Sequence, residues 1–170
     1  MEELFRYGKV IFARPNIKNV DDMVEMMNND KISSMLSTKK RFITKKMEIE
    51  WINQHQNGNV FSAYDCETLD YIGNCGFNDI ENNRGEIGIT IREQMQGKHY
   101  AKDMIRGLIE YGFNNLGLEE IFSIVFSDNT KSINCMIGLG FKEYNREKNV
   151  IERNGNSVDD VYFSYKKCRL

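Results

Sequence analysis

The sequence predicts a mixed α/β domain of the α+β kind: a central, mixed but mostly antiparallel sheet flanked by helices, with one β-α-β crossover. Three stretches carry that expectation. Residues Glu86 to Phe113 pass from period-two alternation (Ile87, Ile89, Ile91) through a polar turn, Gln94 to His99, into a helical pattern. That pattern sets Ala101, Met104, Ile105, Leu108, Ile109, Gly112, Phe113 and Leu116 at three- and four-residue steps. Glu120 to Ser127 (EIFSIVFS) is a continuous apolar run of strand length, consistent with a buried strand returning parallel to the earlier one. Asn154-Gly155 between two strand-like runs is a strong hairpin signal.

The remaining elements follow in order. Val10 to Ala13 is a short apolar run stopped by Arg14-Pro15, read as the first strand. Asn19 or Asp21 can cap a helix carrying Val20, Met23, Val24 and Met27. Asn28-Asn29-Asp30 breaks it, and a second segment runs through Ile32, Met35 and Leu36. Thr44 to Gln56 reads as a further helix with Met47, Trp51 and Ile52 on its apolar side. Strands at Val60–Tyr64 and Tyr71–Asn78 flank an acidic turn, Asp65 to Asp70, read as solvated surface. Asn82-Asn83-Arg84-Gly85 is a tight connection into the central strand. After the long helix Gly117 supplies a stop, and Thr130 to Gly138 reads as a short helix closed by Gly138 and Gly140. Phe141–Ile151 and Val158–Lys166 form the final hairpin.

Composition narrows the class. A chain of 170 residues is expected to form one domain, 1–170, around a single core. A net charge of −2 argues against an obligate nucleic-acid binder, whose domain is normally basic. No apolar run approaches the roughly 20 residues of a membrane helix, and the opening MEELFRYGK lacks the apolar core of a signal peptide. The expectation is a cytoplasmic enzyme with no membrane or nucleic-acid partner. Cys66, Cys75, Cys135 and Cys168 show no paired or C-x-x-C spacing, and His55 and His99 lie far apart, so neither a disulfide scaffold nor a metal is expected.

A strand that turns tightly into a helix N-terminus is a physical anion site, since orphan N–H groups and the positive end of the helix dipole face the turn. Its spelling here, Gln96-Gly97-Lys98-His99-Tyr100-Ala101, resembles the Gln/Arg-x-x-Gly-x-Gly/Ala signature of the GNAT acetyltransferases. His99 stands where that signature has its central glycine. Further residues match in the corresponding elements. Asn129-Thr130-Lys131-Ser132 fits the family's Asn-x-x-Ser helix opening, and Leu139-Gly140-Phe141 fits its Leu-Gly-Phe. Asn154-Gly155 followed by Asp160 and Tyr162 is similar to the C-terminal hairpin of the subfamily containing ribosomal-protein N-terminal acetyltransferases. Ala13-Arg14-Pro15 and Glu48 to Trp51 also have counterparts there, so the resemblance is nearly full length.

The resemblance implies a set of roles. The backbone of Ile89, Thr90 and Ile91 would pair with the pantetheine amides of acetyl-CoA, although their side chains alone read as strand packing. Gln96, Gly97, Lys98, His99, Tyr100, Ala101 and Lys102 would hold its pyrophosphate, against the plain reading of a strand-to-helix loop. His99 reads as a solvent-facing substitution that the turn tolerates, against the alternatives that it reshapes the turn or sets a protonatable ring near phosphate. Asn129 would bond the pantetheine arm, in which case Asp128 could supply the helix cap, or it would cap the helix itself. Ser132 is either a CoA contact or a first-turn residue. Glu86 would be the general base, against the reading of an exposed residue after a turn.

Met136 occupies the position where many relatives carry a tyrosine as general acid, and a thioether cannot donate a proton. Cys135 and Tyr144 lie nearby in sequence without an assigned role. The implied activity is transfer of acetyl from acetyl-CoA to an amine-bearing small molecule or a protein N-terminus, with no metal. A homodimer is kept open as a partner, since the oligomeric state is not readable from the sequence. The alternative is a CoA-binding regulatory module without turnover, motivated by His99 and Met136.

Overall fold

The computed structural model describes residues 2–36 and 41–168. Eight strands hydrogen-bond in the order β1-β2-β3-β4-β5-β6-β8-β7, a mixed and mostly antiparallel sheet flanked by helices. They are β1 (Glu3–Tyr7), β2 (Val10–Ala13), β3 (Val60–Asp65), β4 (Tyr71–Glu81), β5 (Arg84–Ile91), β6 (Glu120–Phe126), β7 (Lys142–Arg153) and β8 (Asn156–Lys166). The helices are α1 (Val20–Asn28), α2 (Asp30–Leu36), α3 (Lys45–Gln54), α4 (Tyr100–Asn114) and α5 (Thr130–Gly138). Contacts divide the chain into two units, Met1–Phe77 with Gly88–Gly107 and Asn78–Ile87 with Leu108–Leu170. The long elements β4, β5 and α4 contribute residues to both.

In the first unit β1, β2, β3 and β4 form an antiparallel meander, with Phe5 opposite Phe12, Val10 opposite Asp65 and Phe61 opposite Cys75. All four residues of β2 are buried because both faces of the strand are covered. Ile11 and Ala13 pack with Val20, Met23, Ile52, Tyr64 and Tyr71 under α1 and α3. Phe12 turns the other way and meets α4 at Gly107, where an added Cβ would lie 2.4 Å from the ring. Phe5 stacks on Phe12 at 4.3 Å between centroids, and Phe61 meets Phe12 edge-on at 6.2 Å. Thr44 caps α3 by accepting from the Met47 amide.

Strand β1 precedes the run expected to be first. It is a half-exposed edge carrying Glu3 and Arg6, so it has no apolar stretch to announce it. Before α1, Asn16 caps a 3-10 turn, Ile17–Asn19, by accepting from the Lys18 amide. Asn19 precedes α1 without a side-chain cap, and its side-chain Nδ2 instead donates to the Tyr64 hydroxyl.

In the second unit β6 runs parallel to β5, pairing Glu120 with Arg84, Ile121 with Gly85 and Phe122 with Glu86. That parallel pair, joined through α4, is the expected crossover. β8 lies antiparallel to β6, and β7 antiparallel to β8. Asn154 (φ 51°) and Gly155 (φ 75°) make the two-residue hairpin turn. Asn82 (φ 51°) and Asn83 (φ 59°) do the same between β4 and β5, so Arg84 and Gly85 belong to the strand rather than to the connection. The α5 helix ends in a Schellman motif: Phe141 N–H donates to Met136 C=O and Gly140 N–H to Ile137 C=O, with Gly140 at φ 92°.

β6 corrects one expectation. Its apolar run is continuous, yet only Ile121, Ser123 and Val125 are buried, and Ile124 on the opposite face is 37% exposed. The strand is therefore covered on one face, and its burial follows the period of two imposed by the pleat. Among the described residues no disulfide joins the cysteines. Among the described residues no helix is long and apolar enough to cross a membrane, and no cluster of metal-ligating side chains forms.

Candidate functional site

The turn between β5 and α4 lies in the first unit, and its geometry is built from both sides. On the strand side, the Arg92 amide donates to Ile72 C=O at 2.9 Å and its guanidinium binds Asp22 of α1 at 2.6 Å. Glu93 then opens a 3-10 turn, Glu93–Met95, and its carboxylate accepts from Asn29 at 2.7 Å and from Lys31 at the start of α2. The side chain of Gln96 turns back to donate to Ile91 C=O at 3.1 Å. Met95 is buried beneath, while Gln96, Gly97, Lys98 and His99 are exposed.

Two residues of this turn occupy the left-handed region: Gly97 at φ 78° and His99 at φ 68°. The glycine of the family signature therefore corresponds to a backbone that needs positive φ, and His99 adopts it with its ring exposed. For a residue with a Cβ that conformation costs about 1 kcal/mol. At Gly97 an added Cβ would meet nothing within 4 Å, so the turn is open there. Tyr100 starts α4, whose first N–H groups have no acceptor within the helix and point along its axis toward the turn.

On the helix side, Tyr100 is buried and donates its hydroxyl to Asp65 at the end of β3. Asp65 also accepts from the Glu67 and Thr68 amides, each at 2.8 Å. The Tyr100 hydroxyl, followed by the Thr68 and Glu67 amides, holds the Asp65 carboxyl down at about 2. The same bond to Asp65 pushes Tyr100 up to about 12. One turn along α4, Asp103 accepts from the Lys9 amide at 3.0 Å. Of the acidic turn expected to be surface, Glu67 and Asp70 are exposed, but Asp65 is buried and anchors α4. Ile89, Thr90 and Ile91, also in this unit, are half-buried at the end of β5.

Glu86, Asn129 and Ser132 lie in the second unit. Glu86 is half-buried on β5, and its Oε1 accepts from Asn78 Nδ2 at 3.0 Å. Two residues earlier on the same face, Arg84 pairs with Glu120 at 3.1 Å and donates to the Tyr144 hydroxyl at 3.3 Å. Its guanidinium also lies 4.8 Å above the Phe122 ring. Tyr144 is 47% exposed.

Asn129 itself caps α5, its Oδ1 accepting from the Ser132 amide at 3.2 Å. Asp128, the alternative source of that cap, instead binds Arg153 at 2.5 Å. Met136 is buried, 4% exposed. Three side chains at these sites escaped sequence reasoning: Asp65, Asn78 and Asp103. Each acts through a partner brought near by folding. The one local signal was an aspartate ending a strand before a turn, a position where its side chain caps backbone amides.

Comparison with known proteins gives a consistent result. Residues 9–142 match the acetyltransferase (GNAT) domain family. The uncharacterized N-acetyltransferase p20 of Bacillus licheniformis is 37% identical over 111 residues, which span 64% of this chain and 62% of p20. The uncharacterized N-acetyltransferase YoaA of Bacillus subtilis is 25% identical over 160 residues, 93% of this chain and 85% of YoaA. In fold the chain is similar to a spermidine N-acetyltransferase of Vibrio cholerae crystallised with CoA and spermine. That likeness has a TM-score of 0.83 and 21% identity, covering 93% of this chain and 95% of the other.

Proposed function

The chain belongs to the GNAT acetyltransferase family, and we propose that it moves the acetyl group of acetyl-CoA to a primary amine by direct attack, as one cytoplasmic domain spanning 1–170. The observation that carries this reading is the turn ahead of α4. Gly97 and His99 both lie at positive φ, directly before a helix N-terminus and beside an open surface. Backbone N–H groups there suit a diphosphate, a charged part of CoA.

In this reading the amides of residues 96–102 seat the diphosphate. The backbone of Ile89, Thr90 and Ile91 and the Asn129 amide bind the pantetheine arm, with Ser132 at its edge. Glu86 takes the proton from the acceptor ammonium, directly or through water, so that the amine lone pair can attack the thioester carbonyl. The C–S bond breaks as the tetrahedral adduct collapses; its nitrogen gives up its remaining extra proton to water, and water returns a proton to the departing thiolate, since Met136 cannot.

The acceptor is a small amine or a protein N-terminus. A polyamine belongs in the first panel because of the spermidine N-acetyltransferase likeness. The test is thiol release from acetyl-CoA over polyamines, amino sugars, aminoglycosides, amino acids and N-terminal peptides. Release well above the hydrolytic background with at least one amine is expected. Tight acetyl-CoA binding with no release on any amine favours the second reading, a CoA-binding regulatory module, for which His99 and the buried Met136 are the motivating residues.

A further inference from the structure

We propose that Asp65 and Tyr100 are positioning residues for the phosphate-binding turn, a buried latch that holds the start of α4 where the turn requires it. The inference rests on the reading of residues 96–102 as the seat of the diphosphate of acetyl-CoA. It adds to that reading two side chains that touch no substrate.

The geometry of the latch is closed on the β3 side. Asp65 is 7% exposed, and its Oδ1 accepts the two amides of its own turn, at 2.8 Å each. Its own amide donates to Asp70 C=O at 2.9 Å, fixing the turn as a unit. Oδ2 alone faces α4, and it receives the Tyr100 hydroxyl at 2.5 Å. Tyr100 is itself 7% exposed, so the bond is made out of reach of competing water. A charge-assisted bond of this kind is stronger than a neutral one.

The latch sits at the one point of the turn with a conformational cost. His99, immediately before Tyr100, holds positive φ with a Cβ in place of glycine's hydrogen. Left to relax, that residue would swing toward negative φ and carry the first N–H groups of α4 off the phosphate axis. The second anchor, Asp103, lies one turn further on. Its carboxylate takes the Lys9 amide, and Gly8 approaches so closely that a Cβ there would fall 2.4 Å from an Asp103 oxygen. Asp103 can hold the helix body, whereas the Tyr100 hydroxyl restrains the residue next to the strained one.

The test compares two thioesters, acetyl-CoA and acetyl-pantetheine, the second lacking the diphosphate and the 3'-phosphoadenosine attached to it. The readout is the ratio of their kcat/KM values for the wild type, Tyr100→Phe and Asp65→Asn. We expect the ratio to fall about tenfold in Tyr100→Phe, through KM for acetyl-CoA, on the scale of one hydrogen bond to a charged group. Asp65→Asn should fall in the same direction. If Asp65→Asn does not fold, Tyr100→Phe decides alone. Adding His99→Gly to Tyr100→Phe should restore part of the ratio, because glycine takes the turn without strain. A wild type that does not prefer acetyl-CoA overturns the reading of the turn and the latch with it. A wild type that does, with an unchanged ratio in Tyr100→Phe, overturns the latch alone.

Discussion

Glu86→Gln is expected to lower kcat at neutral pH by about 100-fold, the scale of losing a positioned general base, with KM for acetyl-CoA little changed. Glutamine keeps the shape of the side chain and an oxygen able to accept from Asn78 Nδ2, so the strand and its pairing with β6 persist. What it loses is the ability to take a proton. The acceptor must reach the thioester as a free amine, and an aliphatic amine with a pKa near 10 is almost wholly protonated at pH 7. Each unit of pH up to that value supplies about ten times more free amine from solution. The defect of Glu86→Gln should therefore shrink steadily as pH rises toward 10. A variant with wild-type kcat at pH 7 removes Glu86 from the mechanism. A deficit that stays constant with pH points to positioning rather than proton transfer.

Gly73→Ala should be the most damaging small change in the sheet. Gly73 lies on β4 opposite Ala63, and an added Cβ would fall 2.0 Å from the backbone oxygen of Thr90 on β5. Backbone cannot rotate out of the way as a flexible side chain can. The strands must part or the register must shift, at a cost of about 3 kcal/mol, which for a domain of this size lowers Tm by roughly 6–12 °C. Because the obstructing atom belongs to Thr90, acetyl-CoA affinity should fall along with stability. The matched control is Gly138→Ala in α5, where an added Cβ meets nothing within 4 Å. There alanine should be neutral or stabilising by up to about 1 kcal/mol. Equal Tm values for the two variants would contradict the close approach of β4 and β5.

What could be read from the chain depended on whether the determinant was local. The start of α4 at Tyr100, α5 from Thr130 to Gly138 and the Asn154-Gly155 hairpin were legible, because periodicity, caps and turn residues are written within a few positions of one another. β1 was not, because an edge strand needs only one partner and tolerates charge. The one-sided burial of β6 was not, because the same apolar letters suit a strand covered on one face or on two. At the candidate site the spelling of residues 96–101 pointed to the turn, and the positive φ at His99 explains why glycine is usual there. Asp65 was misread as solvated surface because its partner is 35 residues away. Nothing in an acidic run distinguishes the one carboxylate that a tyrosine will bury. Asn129 as the cap, with Asp128 bound to Arg153, likewise turns on a residue of the distant hairpin.

The most direct test of the central claim is calorimetric titration of the full chain with acetyl-CoA, run beside acetyl-pantetheine. Micromolar binding of acetyl-CoA, and binding of acetyl-pantetheine weaker by at least about tenfold (1.4 kcal/mol), is the predicted result. It would show a ligand held by its nucleotide diphosphate part as well as by its arm. No heat with acetyl-CoA at millimolar concentration would contradict it, and would mean that the turn at His99 does not seat the nucleotide.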